Sequence, residues 1–163
     1  MNSIHDSGLR QFVSFRIEGD LYGFDIRIVK EVYPQTDIMG VPLADRKIRG
    51  LINIRGQIVL VIDIAVLFGR SPRPVTPDSQ LVIVKTRQEL ELMHGMVDQV
   101  PDGAWSDKPV AFLVDGIGDV LTVERTRIDR VPPHLSEKKA VYLEGVCRID
   151  DELLIILAAQ QLL

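Results

Sequence analysis

The sequence predicts an all-β protein made of two small barrels that share one core. Three observations lead there. Short runs of Val, Ile and Leu recur along the chain, each bounded by turn residues. Helical periodicity is weak throughout. The chain also matches itself in two blocks that occur in the same order.

The first predicted strand is Arg10–Gly19, with Phe12, Val13, Phe15 and Ile17 as its apolar content and Gly19-Asp20 as the turn that follows. Leu21–Ile26 is the second. Ile26–Val32 predicts one or two helical turns. Gly50–Arg55 and Gln57–Asp63 form a hairpin split at Gly56, and Ile64–Phe68 predicts another short helix. Gly69–Asp78 holds three of the nine prolines and is a connector. Leu81–Val84, Val110–Val114, Val120–Val123, Tyr142–Ile149 and Glu152–Leu157 complete the strands, and Ala158–Leu163 predicts a C-terminal helix. Between Lys85 and Lys108 the pattern is irregular. That stretch begins with a short helix and then passes through Pro101, Asp102 and Gly103.

The self-match is specific. Laying Gly50 over Gly145 sets Leu51 on Val146, Ile54 on Ile149, and Ile58–Ile62 on Leu153–Leu157, all apolar and without a gap. A second block sets Phe24 on Phe112, Ile26 on Val114, Val29 on Ile117 and Glu31 on Asp119. A duplicated unit of about 60–70 residues is marginal alone, so the two copies should share a core. The expected division is about 20–80 for the first barrel and 81–157 for the second, within one domain of 1–163, with the terminal segments free to cross. The copies differ at one hairpin tip, which reads Asn53-Ile54-Arg55-Gly56 in the first and Arg148-Ile149-Asp150-Asp151 in the second. Turn geometry alone gives no reason for an arginine there.

Composition narrows the function. Nineteen basic and 23 acidic side chains give a net charge of −4, which is no footprint for nucleic acid. No apolar run approaches the ~20 residues that span a bilayer, and no signal peptide is visible, so a cytoplasmic location is expected. The single cysteine, Cys147, excludes an internal disulfide and a Cys-rich zinc site. His5, His94 and His134 share no ligand spacing, and no nucleophile elbow, P-loop or dinucleotide fingerprint occurs. Gly116 and Gly118 form GIG without a third glycine. Neither catalytic residues nor cofactor ligands are expected, and a binding module is the economical reading. A small β-barrel enzyme or ligand carrier is the alternative.

The segments YGFDIRIVKEV (Tyr22–Val32), VPLADRKIRGLINIRGQIVLVIDI (Val41–Ile64), VAFLVDGIGDVL (Val110–Leu121) and YLEGVCRIDDELLIIL (Tyr142–Leu157) resemble the CheW-like adaptors of bacterial chemotaxis. The resemblance runs from about Phe12 to the C-terminus. It implies two SH3-like five-stranded barrels and no enzymatic activity. It implies two partners, the cytoplasmic tip of a transmembrane chemoreceptor and the regulatory domain of a CheA-type histidine kinase. Carried over by motif, Val29, Glu31, Gly50, Arg55 and Gly56 fall at receptor-side positions, with Arg55 and Glu31 able to pair across the first barrel. The resemblance also implies an apolar groove between the barrels that takes the receptor helix, with Val114 as a candidate wall. Ile38, Met39 and Val41 are the kinase-side candidates. The resemblance also implies a short turn where Lys85–Lys108 stands, so a flap on the second barrel is expected. That departure leaves open a parallel chemosensory pathway, such as twitching motility or second-messenger control.

Overall fold

The computed structural model describes residues 8–34, 37–93, 105–135 and 137–163. Its elements are β1 (Leu9–Ile17), β2 (Asp20–Asp25), β3 (Val29–Pro34), β4 (Ile48–Ile54), β5 (Gln57–Asp63), α1 (Ile64–Leu67), β6 (Gln80–Val84), α2 (Arg87–Glu91), β7 (Val110–Val114), β8 (Gly116–Glu124), α3 (Glu137–Ala140), β9 (Leu143–Ile149), β10 (Glu152–Leu157) and α4 (Ala159–Leu162). The strands form two five-stranded sheets, ordered β8-β1-β2-β10-β9 and β3-β6-β7-β5-β4. The all-β class and the short C-terminal helix are as the sequence predicts.

Strand alternation builds three layers of core. Ile52, Val59, Val61, Leu81, Ala111 and Leu113 fill the barrel of the β3–β7 sheet. Phe12, Leu21, Val123, Cys147, Leu154 and Ile156 fill the other. Residues of opposite parity, including Tyr22, Phe24, Ile62, Phe112, Val114 and Leu157, form the layer between the barrels. β7 therefore has both faces covered, which is why it reads Val-Ala-Phe-Leu-Val without a polar residue.

The repeat is real, and it is swapped. Hairpin β4–β5 corresponds to β9–β10, and each is followed by a short helix, α1 or α4. Both tips hold a residue in the left-handed region, Arg55 at φ 51° and Asp150 at φ 52°. Gly50 and Gly145 also correspond. A Cβ on Gly50 would lie 2.2 Å from the Met39 carbonyl oxygen, and one on Gly145 would lie 2.8 Å from that of Asp129. The sequence repeats are thus β1–β5 and β6–β10, but the barrels are not. The first barrel joins β3–β5 to β6–β7, and the second joins β1–β2 to β8–β10. This corrects the division at 80/81, which follows the repeat and not the sheets. The reason lies in the two parallel pairs, β5 with β7 and β2 with β10. Parallel neighbours cannot be joined by a tight turn, so each pair draws strands from distant parts of the chain.

Two local readings also change. Only Ile26–Ile28 of the expected helical stretch is helical, a single 3-10 turn capped by the Asp25 side chain, which accepts the Arg27 N–H. Val29–Pro34 then alternates in burial as a strand. The Lys85–Lys108 stretch connects β6 to β7, so it springs from the first barrel's sheet and not from the second barrel. Its helix α2 starts with a Thr86/Glu89 capping box. Leu90 and Trp105 are buried in the layer between the barrels, Met93 packs against it, and Leu92 is exposed. Gly95, Met96, Pro101, Asp102 and Gly103 lie outside the described residues. The proline-rich connector is pinned to both barrels. The Arg73 backbone N–H donates to the buried Asp63 carboxylate of β5 at 2.8 Å, and its guanidinium donates to Asp115, between β7 and β8, at 2.7 Å and to Glu18, in the β1–β2 turn, at 3.3 Å.

Candidate functional site

The β4–β5 tip is a two-residue loop, Arg55-Gly56, with φ values of 51° and 83°. The Asn53 side chain closes it by accepting the Gly56 N–H at 2.9 Å. Such loops favour Asn, Asp or Gly because their backbones tolerate positive φ. The corresponding tip obeys this with Asp150, whereas Arg55 does not. Its guanidinium Nη2 donates to both carboxylate oxygens of Glu31, at 2.5 and 2.8 Å, which joins the tip to β3. That bond holds the Arg55 guanidinium more firmly charged than usual. The Arg55 side chain nevertheless stays 67% exposed, so one face of the cation is free to meet a partner. A small cleft of about 100 Å³ lies beside the pair, lined in part by Lys30, Gln57 and Pro109.

Of the other receptor-side candidates, Gly56 shares this tip and the rest lie elsewhere. Gly56 has open space around it. Gly50 is buried beneath the Met39 backbone, with Met39 and Leu51 exchanging two N–H···O bonds of 2.8 Å. Val29 pairs with Val84 and packs against the layer between the barrels. Val114 has no exposed surface at all and belongs to that layer, so its side chain walls no open groove. The structure therefore brings Glu31, Arg55 and Gly56 together and places Val29 and Val114 in the shared core.

Gly50 instead lies against the segment that carries the kinase-side candidates. By letting the preceding segment lie against β4, it sets out Ile38, Met39 and Val41. Ile38 packs on the first barrel's interior, while Met39 is 71% and Val41 39% exposed. Leu43, at φ 63° and fully exposed, extends them into an apolar ridge. Beside it lies a groove of about 630 Å³ lined by Ile38, Arg46, Ile48, Arg49, Pro72 and Val75. Sequence reasoning missed Leu43, Arg46 and Val75. The only available signal was the run of apolar residues after Ile38 with no strand alternation to absorb them.

Little in the site speaks for covalent chemistry. Cys147 is buried, and burial pushes its thiol up, away from the thiolate form. Asp25 and Asp63 serve as caps, each accepting a backbone N–H two residues on. Among the described residues, no group of His, Cys, Asp and Glu side chains is arranged to hold a metal ion. His5 and His94 lie outside those residues.

Two fused barrels with a charged tip and an adjoining apolar ridge have the form of an interaction module. The chain belongs to the CheW-like domain family, whose model matches residues 11–163. It is 24% identical over 157 residues to the probable chemotaxis protein CheW of Rhizobium etli, covering 96% of this chain and 89% of that protein. It is 26% identical to the chemotaxis protein CheW of Thermotoga maritima, covering 96% and 90%. The crystal structure of the scaffolding protein TtCheW from Thermoanaerobacter tengcongensis superposes with a TM-score of 0.71 at 28% identity, over 91% of this chain and 88% of that one. Among the described residues, no helix is long and apolar enough to cross a membrane.

Proposed function

We propose that this chain is a non-catalytic chemotaxis adaptor that couples transmembrane chemoreceptors to a CheA-type histidine kinase. Family membership supports the pathway. The observation that carries the residue-level reading is Arg55, a long cation kept on a turn position that its backbone disfavours. The receptor tip docks on Arg55, Glu31 and Gly56. The kinase regulatory domain docks on the ridge of Met39, Val41 and Leu43, where exposed apolar surface beside a groove suits a protein interface. Gly50 acts through the backbone it supports, and Val29 and Val114 through packing. The adaptor works inside the cell, recruited to receptor arrays by these contacts.

Reconstitution tests the proposal. Receptor-containing membranes and the kinase are combined with and without this protein, and kinase autophosphorylation is measured. The protein alone turns over nothing and raises phosphorylation only when receptor is present. No change at saturating protein would overturn the adaptor role. The Lys85–Lys108 stretch favours a second pathway assignment, a parallel chemosensory system. Activation by receptors of one system and not another decides between them.

A further inference from the structure

One cavity lies away from both the tip and the ridge. It measures about 420 Å³ and is walled by the β1–β2 turn, the residue after α1's turn, α3 and β10, with Asp20, Arg70, Lys139 and Glu152 as its charged residues. Lys139 is only 7% exposed. Its ammonium stands 4.7 Å from the Tyr22 ring centre and 5.1 Å from that of Phe68. Lysine is almost never buried this deeply unless paired. The two ring faces attract the cation but give it no hydrogen-bond acceptor. Among the described residues it makes no hydrogen bond and meets no carboxylate at ion-pair distance. The Tyr22 hydroxyl beneath is also buried and lacks a hydrogen-bond partner among those residues. Burial, and then the nearby Arg70, hold the Lys139 amine below the usual lysine range.

We propose that this cavity binds a small organic molecule through one carboxylate, which takes the Lys139 ammonium with Arg70 beside it, while Leu21 and Leu153 receive the hydrocarbon. The charges select the ligand. A cation has no place against Lys139. A phosphate dianion meets Asp20 and Glu152 on the same walls, and Arg70 is already engaged by Glu18 at 2.6 Å. A single carboxylate supplies the missing acceptor with half the ligand charge facing those walls, and so with less of that repulsion. The volume falls within the range of small-molecule pockets. The site stands apart from the adaptor reading and does not depend on it.

The test uses the intact protein with 4-methylpentanoate, 3-methylbutylamine, inorganic phosphate and chloride at matched ionic strength. Melting temperature and the NMR resonances of the Tyr22 ring are followed in the wild type and in Lys139→Met. The carboxylate should raise the wild-type melting temperature in a saturable way and shift the Tyr22 ring signals, while the amine and phosphate do no more than chloride. Lys139→Met should show neither response. A wild type indifferent to the carboxylate, an equal response in Lys139→Met, or a response to phosphate alone would each overturn the proposal. The ring titration is read on the wild type, so it decides the matter even if the variant fails to fold.

Discussion

Arg55 carries a backbone cost that Asp150, at the matching position, avoids. Its ion pair with Glu31 is largely solvated, and pairs of that kind contribute little to stability. Arg55→Gly should therefore melt no lower than the parent, because glycine is at ease at positive φ. The same change should weaken receptor coupling severely. A marked fall in melting temperature would make Arg55 structural.

Asp25 has the opposite character. Burial pushes its carboxyl up, but bonds from Arg27 and Arg10 outweigh burial and hold it below the usual carboxylate range. A folded pKa below the unfolded value, about 3.9, means that its contribution is present above that value and is lost as pH falls through the folded one. Asp25→Asn should cost about 2 kcal/mol at pH 7, since Arg10 and Arg27 lose a charged partner. The gap to the wild type in urea denaturation should narrow below about pH 4. Asp63, whose carboxyl burial pushes up, acts with the opposite sign in both proteins and cancels from the comparison.

At the scale of elements, the hairpins and most strands were legible because alternation and turn residues agree there. Gln57–Asp63, Val110–Val114 and Glu152–Leu157 fall where the pattern puts them. β3 was not legible, because one 3-10 turn and a following strand of alternating burial imitate a short helix. The exchange of strands between barrels was also hidden, since it depends on parallel pairing between distant segments. The tip was legible from Arg55 and Glu31. Gly50 was legible as special but not as the seat of the Met39 segment, which requires knowing what lies above its missing Cβ. Gly50→Ala should force Met39 away from Leu51. A melting temperature several degrees lower and loss of the kinase contact with the receptor contact retained would be the result. For the β6–β7 connection, Leu90→Ala should cost about 2–4 kcal/mol in urea denaturation, as for a buried leucine that leaves a cavity. A cost near zero would make that stretch a surface element.

At the scale of the molecule, a single barrel holds the two candidate surfaces in fixed relation. The tip and the ridge both belong to the first barrel, one at the β4–β5 turn and the other along β4. The second barrel is fused to the first through the aromatic and aliphatic layer around Phe24 and Phe112, whose ring centres lie 5.3 Å apart. Rigid separation of the two proposed docking sites is what a bridge between partners requires, and binding at both sites at once is the central claim. The most direct measurement sediments receptor membranes with the purified kinase regulatory domain and this protein. The kinase domain should appear in the pellet only when this protein is present. Arg55→Ala should leave both proteins in the supernatant, and Met39→Glu should pellet the adaptor but not the kinase domain. Kinase domain in the pellet without the adaptor, or identical behaviour of the two variants, would contradict the account.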